Sequence, residues 1–214
     1  MNEKRTRRPL LILGAVIIVL AIVFYFIYSG GNVIPGVGRT SQVQDEHLRQ
    51  QVVKAGDAFN KGDKNEAISI LRALAIKYPR EDFVFYMLGF SLLTEKVYDS
   101  SGKVKDASAA DEGLSYIKKS IALAPKKIEY QLVYAVSLSE LHRDRESVEI
   151  FEKLFTDKVF RAHPKHRYIV VNYADSLARI GMREKALDEY KKSLAVTNND
   201  DKIAVEYAHL LKAR

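Results

Sequence analysis

The chain has 214 residues, a formal charge of +7 and no cysteine. Without thiols it builds neither disulfides nor thiolate metal sites, and it has no cysteine nucleophile. The positive charge is no footprint for phosphates: Lys4, Arg5, Arg7 and Arg8 against Glu3 supply +3 before residue 9, and residues 29–214 carry 30 basic against 26 acidic side chains. Such a mixed, solvated surface makes nucleic acid an unexpected partner.

The first element follows a basic flank, residues 1–9. It reads "LLILGAVIIVLAIVFYFIY", residues 10–28, with no charge in 19 residues. As a helix it spans about 28 Å, close to the hydrocarbon thickness of a bilayer. Core helices rarely run so long without a polar face. A cleaved signal peptide ends in small residues, whereas Phe24, Tyr25, Phe26, Ile27 and Tyr28 lead here into Ser29-Gly30-Gly31. The expectation is a retained transmembrane anchor in contact with the lipid bilayer, its aromatic end in the interface. Four basic residues precede it and only Arg39 follows closely. The N-terminus is therefore expected in the cytoplasm and the remaining mass outside it, on the periplasmic side of a bacterial inner membrane. Residues 29–40, with four glycines and Pro35, read as a flexible tether.

From Ser41 to Arg214 the pattern is helical throughout. Ser41 and Gln44 have capping-box spacing, and Leu48, Val52, Ala55 and Phe59 follow at helical intervals. No alternating strand pattern interrupts it, so the fold class is all-α. Small residues then recur in pairs 12 apart: Ala55 with Ala67, Ala135 with Ser147, Ala174 with Ala186. Two antiparallel helices approach closely only where both side chains are small, so each pair marks a helical hairpin. Gly89 and Gly113 are 24 apart, as expected if 12 residues are inserted between their helices. The first members of these pairs repeat at 34 residues, lengthened to 46 by that insert and to 39 near "KVFRAHPKH", residues 158–166.

A 34-residue helix–turn–helix period is that of the tetratricopeptide repeat. The sequence resembles this family over roughly residues 48–214, through Leu88-Gly89, Tyr173-Ala174, Gly62-Asp63, Ala67, Gly181, Ala186, Tyr190, Pro79 and Pro125. It departs from the family at Val159 and Asn198, where a terminal proline is usual, and at Leu74 and Leu154, where a small residue is usual. The resemblance implies an α-solenoid of four repeats, about 48–81, 82–127, 128–166 and 167–200. Residues 201–214 are expected to form a capping helix.

Chemistry finds little footing. His163 and His166 lie in a proline-containing loop among cations, which suits a solvated connector better than a metal site. Acidic residues are interleaved with lysines, as on exposed helix faces. No catalytic residue, metal or cofactor is expected, and the chain is not expected to be an enzyme. The insert, residues 94–113, reads as a polar surface loop or, alternatively, as a partner contact on one face of the repeats, with Ser108 and Asp111 at N-cap spacing for the next helix.

In the resembled family, first helices line a concave surface. That implies an inward face of Phe83, Tyr86, Phe90 and Leu93 in the second repeat. Leu132 and Val136 follow in the third, with Glu129 and Ser139, and Tyr168 and Val171 in the fourth, with Asp175 and Ala178. Arg49, Val52, Gly56 and Phe59 stand there in the first. Val52 and Gly56 replace the lysine and asparagine with which some members hold a C-terminal carboxylate, so that docking mode is not expected. The apolar set suits a partner helix or extended segment. The alternative is that these aromatics are core, covered by the chain's own N-terminal helix. The functional expectation is a membrane-anchored scaffold or assembly adaptor of envelope protein complexes. The alternatives are a client receptor with its array in the cytosol, and an accessory subunit modulating a partner enzyme.

Overall fold

The computed structural model describes residues 46–96, 106–156, 169–197 and 200–212. The 10–28 anchor, the 29–40 tether, the Ser41–Gln44 cap, residues 97–105 of the insert and the loop holding His163, His166 and Tyr168 lie outside them. The described residues form nine helices and no strand. These are α1 (Glu46–Asn60), α2 (Lys64–Lys77), α3 (Asp82–Lys96), α4 (Ala107–Leu123), α5 (Ile128–Glu140), α6 (Asp144–Phe155), α7 (Ile169–Arg179), α8 (Arg183–Val196) and α9 (Asp201–Lys212). None of them is long and apolar enough to cross a membrane. The chain divides into two compact units, one ending at Lys127 and the other beginning at Ile128.

In the first unit α1 packs on α2, α2 on α3, and α3 on α4. The small-residue pairs sit at the helix crossings. Ala55 and Ala67 are fully buried. A Cβ on Gly89 would lie 2.6 Å from the Gly113 carbonyl oxygen and 2.8 Å from Ile117 Cγ1, so both glycines are there because α3 and α4 touch backbone to backbone. The 24-residue spacing thus marks a true hairpin with its insert in the connection. Helices α2 and α4 both end just before a residue that precedes proline, Tyr78 and Ala124, whose backbones leave the helical region (ψ 69° and 68°), as the ring's steric demand favours.

Helix α4 starts earlier than Ser108 and Asp111 suggest. Its N-cap is Asp106, whose carboxylate accepts the Ala109 N–H at 2.9 Å, and Ser108 lies exposed in the first turn. Two overlapping cap signals stand in this stretch, and the aspartate fills the role.

In the second unit α5 packs on α6 and α7, α6 on α7, α7 on α8, and α8 on α9. Ser147 fills the small-residue position of α6, and its hydroxyl donates to the Ala135 carbonyl at 2.8 Å. Phe151, Phe155 and Tyr173 pack ring on ring at centroid distances of 5.3–6.0 Å. The fully buried Ile203, with Tyr207 and Leu210 half-buried, seats α9 on this core. Val205 and Leu211 face solvent.

Candidate functional site

Helix α3 carries the aromatic positions singled out by the sequence. From Val84 to Leu93 every residue is buried. Two of its faces have clear covers. Val84 packs with Leu48 and Leu74. On the α4 side, Phe85 stacks on Tyr116 at 6.1 Å, with the Lys119 ammonium 3.9 Å from its ring centroid, and Gly89 meets Gly113. The Lys127 ammonium pairs with Asp82 in the first turn of α3 at 2.6 Å, and the aspartate is a favourable charge for that helix end.

The remaining face bears a ladder of rings. Phe83 meets Tyr86 at 6.3 Å, Tyr86 stacks on Phe90 at 6.4 Å, and Phe90 meets Phe59 of α1 at 5.9 Å. Spacings of three and four along α3 put the rungs on one side. This is no bare patch. Tyr86 is only 4% exposed and Phe90 8%, while Phe83 and Phe59 are half-buried. The sequence left two readings open, a partner-binding face and a covered core, and the period fixes which side the rings share but not what covers them.

Four other positions on the implied inward face are hairpin or interhelix packing. Leu93 lies against Gly113, at a place where only a glycine leaves room for it. Leu132 and Val171 are buried in one cluster with Phe151 and Tyr173, and Val136 packs half-buried against it. The physical reason is the direct packing of α5 on α7, which turns these side chains towards each other. Ser139, another such position, accepts from Arg179 and Ser176 and donates to the Asn172 carbonyl. Glu129 and Asp175 are exposed.

That serine belongs to a polar network that the sequence reading missed. The Arg179 guanidinium reaches Asp144 on α6 with both Nε and a terminal nitrogen, at 2.6–2.9 Å, and the Ser139 carbonyl on α5 at 3.0 Å. It ties three helices together. The serines and the arginine are scattered through the sequence, so no local pattern announces them. Two titrating groups in this unit are strongly perturbed. Burial pushes the Glu140 carboxyl, at the end of α5, up to about 7. Burial, with Asp175 and Glu206 nearby, pushes the Tyr190 hydroxyl well up.

Among the described residues no cluster of three or more His, Asp or Glu side chains could hold a metal ion. Two solvent-open depressions lie in the second unit. One of about 450 Å³ is lined by Glu149, Glu152, Lys153 and Thr156, and one of about 330 Å³ is flanked by His142, Asp144 and Ile180. Neither gathers a nucleophile with a base.

Paired helical hairpins with small residues at each crossing define a tetratricopeptide-like fold. Comparison with solved structures shows the same fold. A MamA RS-1 double mutant superposes with a TM-score of 0.62 at 13% identity, covering 77% of this chain and 83% of that one. MamA 41-end from Desulfovibrio magneticus RS-1 gives 0.59 at 10% identity over 78% and 94%. The thermophilic TPR protein TTC0263 of Thermus thermophilus gives 0.55 at 18% identity over 79% and 83%. No protein-family model matches the chain, and no curated protein sequence matches it.

Proposed function

We propose that this chain is a single-pass, membrane-anchored protein-interaction scaffold that assembles or stabilises envelope complexes. Its tetratricopeptide-like fold, shared with the TPR protein TTC0263, is the observation that carries the reading. Stacked hairpins present first helices side by side and so offer a surface longer than any one helix. The ring ladder of α3, with Phe83 half-buried at its edge, suits an apolar partner segment. Leu132, Val136, Val171 and Tyr168 are support or secondary contacts in this reading.

The anchor is assigned to residues 10–28 on their lack of charge. The basic flank supports a cytoplasmic N-terminus and an extracytoplasmic array. The test is crosslinking in intact cells followed by purification of the full chain from membranes. One stoichiometric envelope protein supports the scaffold. A broad set of unrelated clients, or a partner confined to the cytosol, argues for a client receptor.

A further inference from the structure

Helix α9 is built like the first helix of a hairpin. Ala208 stands 34 residues after Ala174, and Tyr207-Ala208 repeats Tyr173-Ala174. In α7 the matching positions Val170, Ala174 and Leu177 are fully buried, as are Ala55 in α1 and Ala135 in α5. In α9 their counterparts are Ala204, Ala208 and Leu211. The two alanines are only half-buried and Leu211 is 48% exposed, with Val205 beside them at 46%. Ile203, Tyr207 and Leu210 meanwhile seat the helix on the core of its unit. Spacings of three and four from Ala208 put Ala204, Val205, Leu211 and Lys212 on the side turned away from that seat. The outward side of α9 is thus a hairpin-pairing face that is open to a further helix.

We propose that this face pairs with the same face of a second copy of the chain, the two α9 helices lying antiparallel across a two-fold axis at Ala208. The residue pattern is self-complementary about that point. Val205 and Leu211 are each three residues from Ala208, so the two-fold sets Val205 of either copy against Leu211 of the other. Ala204 and Lys212 are each four residues away, so each lysine stem crosses the other copy's Ala204, which is small enough to let it pass. One turn beyond Ala204 stands Asp201, within reach of the lysine ammonium. Both charged side chains are exposed, Asp201 in the first turn of α9 and Lys212 in the last, so the antiparallel pair sets opposite charges together at both ends. A parallel pair would set Asp201 against Asp201 and Lys212 against Lys212. Antiparallel order also places the positive end of each helix dipole beside the negative end of the other. Ala208 against Ala208 then gives the close crossing that small residues permit in every hairpin of this chain. A single pair of helices of 12 residues falls short of the roughly 1,200 Å² of the smaller stable interfaces, so the dimer is reversible. It requires neither the anchor nor the partner proposed above.

The chain's lack of cysteine makes the test direct. Ala208→Cys is introduced into the full-length protein in mild non-ionic detergent, with Ile76→Cys, 83% exposed in the first unit, as the reference. Residues that meet on a two-fold axis at a close crossing come within disulfide range. Ala208→Cys is expected to form an interchain disulfide at least about ten-fold faster than Ile76→Cys. Sedimentation equilibrium of the cysteine-free chain is expected to show a monomer–dimer equilibrium. Leu211→Glu should raise its dissociation constant about ten-fold or more, with a melting temperature within a few degrees of the parent because that side chain is half exposed. Asp201→Lys or Lys212→Asp alone should weaken the dimer about three-fold, and the two together should restore it. Failure of the double exchange to restore it rejects the antiparallel order, and with it the two-fold at Ala208. A crosslink no faster than that of the reference, or a dimer unmoved by Leu211→Glu in a folded chain, overturns the proposal. A monomer at all concentrations overturns it too. In that case an Ala208→Cys thiol shielded from maleimide assigns the face to another segment of the same chain, and a freely reactive thiol leaves it to a different protein.

Discussion

Gly62, His142 and Gly181 each stand seven residues beyond the small residue of a first helix, and all three have positive φ, at 89°, 59° and 86°. Each ends its helix with the same pair of backbone bonds, one of them Asp63 N–H to Ala58, Arg143 N–H to Leu138 and Met182 N–H to Leu177 respectively. A left-handed residue closes the helix this way, and glycine does so without a Cβ penalty. His142→Gly is therefore expected to stabilise the chain by about 0.5–1 kcal/mol in urea unfolding, and Gly62→Ala to destabilise it by about 1 kcal/mol. The Gly62 penalty is conformational alone, since no atom lies within 4 Å of its missing Cβ. Gly89→Ala works by collision and is expected to cost about 1–3 kcal/mol, by pushing α3 and α4 apart. Glu140 supplies a pH test. The folded chain holds its proton up to about 7, against an ordinary value of 4.5. Its contribution to stability is thus greatest below 4.5 and declines as pH rises through 7, because the unfolded chain releases that proton sooner. Glu140→Gln should flatten that decline and raise stability at pH 8 in melts across the range. The small-residue pairs were legible because small side chains at a fixed spacing mark a close crossing. The left-handed histidine was not, because nothing in its side chain declares its backbone.

At the scale of elements, each unit is held by apolar seams with a few polar ties. Arg179 is the tie with the largest expected effect. Its loss leaves Asp144, whose side chain is 10% exposed, and two buried serines without their shared donor. Arg179→Met is expected to cost about 2–4 kcal/mol, measurable as a lowered urea midpoint. Helix α9 gives a second test. Ile203 is fully buried, Tyr207 meets Tyr190 at 6.2 Å, and the Arg183 guanidinium donates to the Leu210 and Leu211 carbonyls at the helix end. Deleting residues 201–214 should cost about 2–5 kcal/mol and promote self-association, seen as a lower melting temperature and a larger hydrodynamic size. An unchanged melt of a monomer would show that α9 is no cap. The helix was readable from its period, but which of its apolar residues are seated was not. Val205 and Leu211 looked as apolar as Ile203, and only the direction of α9 against α8 decides which of them is covered. The start of α4 was blurred in the same way by the competing caps Asp106 and Ser108.

For the whole molecule, the repeat period was legible because every hairpin solves one packing problem with the same small residues. The covering of α3 was not, because a helical period names a shared face without naming its neighbour. A reporter active only outside the cytoplasm, fused after Arg214, is expected to be active. Neutralising Lys4, Arg5, Arg7 and Arg8 should mix the orientation. The central claim is that the ladder edge binds a partner and is more than core. Phe83→Ala in the membrane-inserted full chain tests it, with melting temperature and partner capture read on the same preparation. A melt within a few degrees of the parent with capture reduced ten-fold or more is the expected result, a loss of about 1.4 kcal/mol or greater in binding. Undiminished capture, or a collapsed melting temperature, would contradict it.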